Sequence, residues 1–214
     1  MIQTLIVIAK VPVAGRVKTR LMPALTAEQA AQVAGAALAD TLAAVQATPA
    51  QQRLLAFDSD DTGWLPPGWR LCRQPDGGLD RRLAGAFDAA GPGPALLVGM
   101  DTPQVRGAQL AAFDHEDYDA CLGLAPDGGY WAIGFRDSRL APPAILGISM
   151  STAHTGADQL RRMKRLGLRV QFLDELRDVD TIADADEVAA LIPDSAFAAA
   201  LAQSRVPPLA GAVT

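Results

Sequence analysis

The chain opens on a continuous apolar, β-branched run, Thr4 to Ala9 (Thr-Leu-Ile-Val-Ile-Ala). No polar residue interrupts it, so both faces of this strand have to be covered, as in the middle of a parallel sheet. After Pro23 the period changes. Thr26, with Gln29 three residues on, is a capping-box signature, and the Ala/Leu/Val-rich stretch behind it predicts a helix to about Ala47. Arg53 to Phe57 predicts a second strand ending in the acidic tip Asp58-Ser59-Asp60-Asp61, and beyond the turn Pro66-Pro67-Gly68 a third runs from Trp69 to Arg73. The glycine turn Gln74 to Leu79 leads into a helix from Asp80 to Ala90, with Leu83, Ala84 and Phe87 on one side, ended by Gly91-Pro92-Gly93-Pro94. Ala95 to Val98 predicts another sheltered strand.

The second half continues in the same alternation. Tyr118 to Leu124 and Tyr130 to Phe135 are expected strands joined by the turn Asp127-Gly128-Gly129. Ser151 is expected to cap a helix from Thr152 to about Leu166, closed by Gly167. Leu168 to Phe172 is the last expected strand. Thr181 caps a helix from Ile182 to Leu191, and Asp194 is expected to cap a final Ala-rich helix. Strands alternating with helices predict a layered α/β fold. With no internal repeat and no linker, residues 1–204 are expected to form one domain and 205–214 a tail.

Composition adds to this picture where it departs from the average. Aromatics are only 5% of the 214 residues against 50% hydrophobic, so the core is built from Ala, Leu, Val and Ile. A chain of this length buries roughly 70% of its unfolded surface and needs no disulfide or structural metal. The first apolar run is too short for a membrane span, and no cationic segment precedes it, which points to the cytoplasm. Cys72 and Cys121 lie far apart in expected strands and read as buried free thiols of a reducing compartment. His115 and His154 are the only histidines, and without a Cys cluster they leave no zinc-ligand spacing.

Charge is distributed unevenly. The net charge is -5, yet no acid precedes Glu28, while Lys10, Arg16, Lys18 and Arg20 fall in the loop after the first strand. Two of the three lysines sit there, where a compact point charge suits a phosphate oxygen. Loops beyond the carboxyl ends of strands are the ligand-binding positions of open α/β sheets, and Gly15 allows close backbone approach. An anion site is the reading favoured over a solvated cationic turn. A single basic loop in an acidic protein is no nucleic-acid surface.

Acids occupy the complementary positions. Asp101 follows the Ala95 to Val98 strand, where an α/β enzyme holds a metal or substrate, and Pro103 and Gly107 set the next helix start too far off for it to be a cap. Asp178 and Asp180, at i and i+2, face the same way and suit shared coordination of one cation, or else favour the start of the next helix. Asp127-Gly128-Gly129 is either a hairpin turn or a substrate loop. The run Asp58 to Asp61 lacks the Gly and distal Glu of a calcium loop and reads as solvated Asx turns. The spacing of a P-loop, of a dinucleotide-binding glycine fingerprint and of a nucleophile elbow are all absent.

Four motifs in order carry a family resemblance: Ala9-Lys10-x-Pro12-x-x-Gly15-x-Val17-Lys18-Thr19-Arg20-Leu21, Gly99-x-Asp101-x-Pro103, Asp127-Gly128-Gly129-Tyr130-Trp131-x-Ile133-Gly134 and Asp178-Val179-Asp180-Thr181. Over about residues 4 to 192 the chain resembles the GT-A-type transferases known as radical-SAM/selenodomain-associated transferase 1. These are similar to phospholactate guanylyltransferase and, more distantly, to the molybdenum-cofactor guanylyltransferase. Ala14 and Ile182 stand where the family often has Pro.

The resemblance implies a three-layer, GT-A-like nucleotide-diphospho-sugar transferase fold with a mixed, mostly parallel sheet. It implies that Lys10, Gly15, Arg16, Lys18, Thr19 and Arg20 bind nucleotide phosphates, that Gln74, Gly77 and Gly78 face base or sugar, and that Asp127, Gly128 and Gly129 meet the acceptor. Asp101 would hold Mg²⁺ or Mn²⁺, with Asp178 and Asp180 completing the metal or acceptor site, and Lys18, Arg20 and Asp101 would carry catalysis. The expected activity is nucleotidyl transfer from a nucleoside triphosphate to a small acceptor with release of pyrophosphate. A glycosyltransferase using a nucleotide-sugar is the alternative; the single carboxylate of Met100-Asp101-Thr102, in place of Asp-x-Asp, and the many cations weigh against it. A non-catalytic nucleotide-binding protein is the third reading.

Overall fold

The computed structural model describes residues 2–61 and 63–205; the expected tail lies, Arg205 apart, outside the described residues. Seven strands form one sheet: β1 (Thr4–Ala9), β2 (Gln52–Phe57), β3 (Trp69–Arg73), β4 (Ala95–Gly99), β5 (Ala120–Leu124), β6 (Tyr130–Phe135) and β7 (Val170–Leu173), in the order β3-β2-β1-β4-β6-β5-β7. The pairs β1/β2, β1/β4, β2/β3 and β5/β7 are parallel, and β6 runs antiparallel to both β4 and β5. The mixed, mostly parallel sheet expected from the resemblance is present.

The apolar run at the start of the chain is β1, flanked on both sides, with the register Val7 to Leu55 on one side and Val7 to Val98 on the other. Its alternate residues feed two cores. Leu5, Val7 and Ala9 pack with Leu38, Leu42 and Val45 of helix α1 (Ala27–Ala47) and with Leu110 of the short α3 (Gly107–Leu110). Ile6 packs on the other face with Leu83 and Phe87 of α2 (Leu79–Ala90), with Ala141, Ala144 and Ile145 of α4 (Ala141–Ile145) and with Met163 of α5 (Thr155–Arg165). A third core holds α6 (Ile182–Leu191) and α7 (Ala196–Ser204) against the outer side of α1, through Val33, Ala37, Val188, Phe197 and Leu201. A strand buried on both faces explains the absence of polar alternation in Thr4 to Ala9.

The caps follow the sequence at two places and depart from it at two others. Thr26 and Gln29 form the expected capping box, and Thr181 forms one with Asp184. Ser151 does not cap α5. The helix begins at Thr155 with His154 before it, while Thr155 Oγ1 donates to Ser149 O and the amide of Thr152 donates to Thr155 Oγ1. These local hydroxyl bonds occupy the segment in a turn, which delays the helix until Gly156 N can donate to Gly128 O at 2.8 Å. The cap of α7 is Ser195 rather than Asp194, because its hydroxyl accepts from Ala198 N. Cys121 is a buried free thiol, whereas Cys72, on edge strand β3, is only half-buried. Among the described residues no helix is long and apolar enough to cross a membrane.

Candidate active site

The chain runs β1, β2, β3 in one direction across the sheet and then returns to place β4 on the free side of β1. That reversal leaves a crevice beyond the carboxyl ends of β1 and β4, the position at which open α/β sheets bind ligands. A cleft of about 840 Å³ opens there. Its walls carry Lys10, Arg16, Lys18, Thr19 and Arg20 from the loop after β1, Gln74, Gly77 and Gly78 from the turn after β3, Asp101 after β4, Asp127 and Gly129 from the β5–β6 turn, and Asp178 and Asp180 from the segment after β7.

Two expected site residues, Gly15 and Gly128, are not in its lining. Each has a positive φ, +74° and +89°, and each shapes a turn instead. Gly15 closes the turn in which Arg16 N donates to Val13 O, and no atom lies near its missing side chain. Gly128 is a close approach: a Cβ there would collide with Ala153 O, so the hairpin docks on the segment before α5 only because the side chain is absent.

The centre of the cleft is an ion-pair chain. The Lys18 side chain is 8% exposed and its Nζ lies 2.9 Å from Asp101 Oδ1 and 3.3 Å from Asp180 Oδ1. Arg20 Nη1 reaches the other oxygen of Asp180 at 3.0 Å while remaining 73% exposed. Burial works to discharge Lys18, but the carboxylates of Asp101 and Asp180 outweigh it and hold the ammonium above the usual lysine pKa. Lys18 reaches this position from a left-handed backbone (φ 48°, ψ 38°), a conformation uncommon outside Gly.

Asp178 stands beside that chain. Burial, then the charges of Asp101 and Asp127, push its carboxyl up to about 7, against the opposing pull of Lys18 and of the Thr102 hydroxyl, which donates to Asp178 Oδ1 at 3.3 Å. The backbone fixes this arrangement: Val179 N donates to Asp101 O at 2.9 Å, and Gln104 Nε2 donates to Arg177 O at 2.7 Å. On the opposite wall, Gln74 Nε2 donates to both Ala9 O and Ala56 O, which ties the glycine turn to the carboxyl ends of β1 and β2.

Among the described residues no three His, Cys, Asp or Glu side chains are grouped to hold a metal ion by themselves. Asp101, Asp178 and Asp180 therefore do not form the self-sufficient ligand set that their sequence positions suggest, and Asp180 is committed to Lys18 and Arg20. The donor chemistry nevertheless fits Mg²⁺ or Mn²⁺ of the kind that keeps most of its shell for water and substrate phosphates, since such an ion takes only one or two carboxylates from the protein. Asp178, half-buried beside Asp101 and Asp127 with its carboxyl raised by burial and by their charges, is the observation that supports this fit.

Sequence reading missed several residues of the lining. Arg82 lies on α2 and its Nε donates to Gly77 O, so its stem lies across the glycine turn. Tyr130, Met150, Ser151, Thr152, Ala153 and Thr155 complete the wall next to the β5–β6 turn. Ser151 has a positive φ of 58°, which no local sequence signal announces. A second cavity, about 600 Å³, lies between α1 and the loop after β2; Leu38, Leu42 and Trp64 make it apolar, and among the described residues no basic side chain lines it.

A family model described as "Uncharacterized protein conserved in bacteria (DUF2064)" matches residues 25–152, a span that includes Gln74, Asp101 and Asp127. No curated protein matches the chain. Among solved structures it is similar to a protein of Desulfovibrio desulfuricans G20 provisionally described as a nucleotide-diphospho-sugar transferase, at 26% identity and TM-score 0.78, over 97% of this chain and 100% of that one. It is also similar to 2-C-methyl-D-erythritol 4-phosphate cytidylyltransferase from Thermus thermophilus (19% identity, TM-score 0.57, 96% and 100% covered). A nucleotidyl transferase from Methanothermobacter thermautotroptrophicus aligns at 16% identity and TM-score 0.59, over 89% and 98%. The last two establish a shared fold.

Proposed function

The chain belongs to the DUF2064 family, and on that premise we propose that it is a cytoplasmic nucleotidyltransferase, which transfers a nucleotidyl group from a nucleoside triphosphate to a small acceptor and releases pyrophosphate. Its fold is the one that nucleotide-using transferases share. The observation that carries the reading is the cleft itself, where five basic side chains meet Asp101 and Asp178 at the sheet's switch point. Kinship with radical-SAM/selenodomain-associated transferase 1 and phospholactate guanylyltransferase is the narrower form of the same proposal, for the fold and the nucleotide side of the cleft and not for the acceptor.

In this reading Lys10, Arg16, Thr19 and Arg20 bind the β- and γ-phosphates, and Lys18 holds Asp101 and Asp180 in place while directing its charge at the phosphates. Gln74, Gly77 and Gly78 face the base or sugar, and the Asp127 to Gly129 turn meets the acceptor. Asp101 with Asp178 would hold Mg²⁺ or Mn²⁺, which supplies positive charge at the phosphates when bound. The acceptor oxygen forms a bond to the α-phosphorus, the bond to the pyrophosphate oxygen breaks with its electron pair leaving on pyrophosphate, and the acceptor's proton passes to solvent. The protein's part is positioning and neutralisation of the leaving group.

Glycosyl transfer from a nucleotide-sugar is the second reading, favoured by the description of the Desulfovibrio relative. One assay separates them: purified protein with Mg²⁺, a panel of triphosphates and nucleotide-sugars, and candidate acceptors. Pyrophosphate release supports the first reading and nucleoside diphosphate release the second. Binding of nucleotides with neither product would leave a non-catalytic nucleotide-binding protein.

A further inference from the structure

Charge divides the cleft in two along the sheet edge. The basic lining residues, Lys10, Arg16, Lys18, Arg20 and Arg82, all belong to the loop after β1 or to α2, on the β3–β1 side. Beyond Asp101 and the Lys18–Asp180–Arg20 ion pairs, on the β6–β5 side, the polar lining residues are Asp127, Tyr130, Ser151, Thr152 and Thr155, and among the described residues no basic side chain lines that side. The arginines that follow β6 and β7 are committed elsewhere. Arg136 pairs with Asp119 and Arg139 with Asp137, beyond the far end of β6, and Arg177 pairs with Asp184 and Glu187.

A phosphate or carboxylate bound on that side would find no cation of its own, because Lys18 and Arg20 at the centre are paired with Asp101 and Asp180, and it would face Asp127. Hydroxyl and ammonium groups would find acceptors. Resting on the transferase reading above, we propose that the acceptor is a polyhydroxy compound without an anionic group, a free sugar, amino sugar or polyol, that presents a hydroxyl to the donor and is held by Asp127 together with Ser151, Thr152 and Thr155. The attacking atom is thereby a hydroxyl oxygen, not that of a phosphate or carboxylate. Only the donor half of the cleft handles anions.

The test uses the full chain in two steps. A thermal-shift panel of nucleoside triphosphates with MgCl₂ first identifies the nucleotide; no shift with any of them sinks the transferase reading and this inference with it. Binding of glucose, glucosamine, glucose 6-phosphate and glucuronate to the nucleotide-saturated protein is then followed by ligand-observed NMR. Glucose and glucosamine are expected to bind and the two anions not to. Asp127→Asn is expected to weaken glucosamine about tenfold, the loss of one charged contact. Ala153→Arg, at an exposed lining position, is expected to admit glucose 6-phosphate. Binding of either anion to the unmodified, nucleotide-saturated protein, or of none of the four compounds, overturns the proposal while leaving the nucleotide shift, and hence the transferase reading, standing.

Discussion

Asp178 is the residue at which the fold and the proposed chemistry pull in opposite directions. Its carboxyl binds a proton up to about pH 7 in the folded protein, against 3.8 for the ordinary group. A carboxyl raised in this way favours the folded state fully below the unfolded pKa and loses that contribution as pH climbs through the folded one. The metal-free protein is therefore expected to lose stability between about pH 4 and pH 7 through this group, and Asp178→Asn to remove that slope and gain on the order of 1–3 kcal/mol at pH 8. Urea unfolding at several pH values, with and without the substitution, checks it. The same variant should lose pyrophosphate release. Lys18→Ala is expected to lower turnover by about 10²-fold or more, as the loss of an aimed cation does; a rate near that of the unmodified protein would remove Lys18 from catalysis. The sequence revealed Lys18 through its company of cations, but not its burial. That depends on Asp101 and on Asp180, the latter brought against it by a tertiary contact between residues 162 positions apart.

The elements show where local sequence rules hold and where packing overrides them. Thr26 caps α1 as its sequence signature requires, and Thr26→Ala is expected to cost about 1 kcal/mol in chemical denaturation with activity kept. The start of α5 departs from its sequence signal because the local hydroxyl bonds of Thr152 and Thr155 act together with a contact that is not local. The Gly128–Gly156 hydrogen bond joins the β5–β6 turn to the helix, and the chain before it has to turn to make that bond. Gly128→Ala tests the joint. A side chain would strike Ala153 O and sit at a positive φ, so the substitution is expected to destabilise by about 2 kcal/mol or more. It should also reduce transfer more than it reduces nucleotide binding, since the nucleotide side of the cleft is built from other loops. Equal losses in both would mean that the two walls of the cleft move together.

Across the whole molecule, the strand pattern, the central position of β1 and most helices were legible because period and composition are local records of burial. Strand order was not. Nothing in Tyr130 to Phe135 announces that β6 inserts antiparallel between β4 and β5, although this is what brings Asp127 to the same edge as Asp101. The ligand expectation also belongs to this scale. With only Asp101 and Asp178 proposed to hold the ion, and Asp180 committed to Lys18 and Arg20, Mg²⁺ alone should raise the melting temperature little, and a triphosphate with Mg²⁺ should raise it by more than the two separate shifts combined. At about a hundred times the dissociation constant, the joint ligand should add roughly 3 kcal/mol. A large shift with Mg²⁺ alone would indicate a complete metal cage.

The tie from Val179 N to Asp101 O, with Val179 buried against Leu21 and Leu25, has a consequence for the order in which the protein is made. During synthesis β1 and the basic loop precede the other six strands, which are complete by Leu173, and Asp178 and Asp180 come only afterwards. Until those residues emerge, Lys18 has Asp101 as a partner but not Asp180. A nascent or prematurely ended chain can thus complete its sheet while still lacking the residues that close its cleft. Competence comes only with Asp178 and Asp180, so a fragment ending near residue 174 is the form in which folding and activity should part.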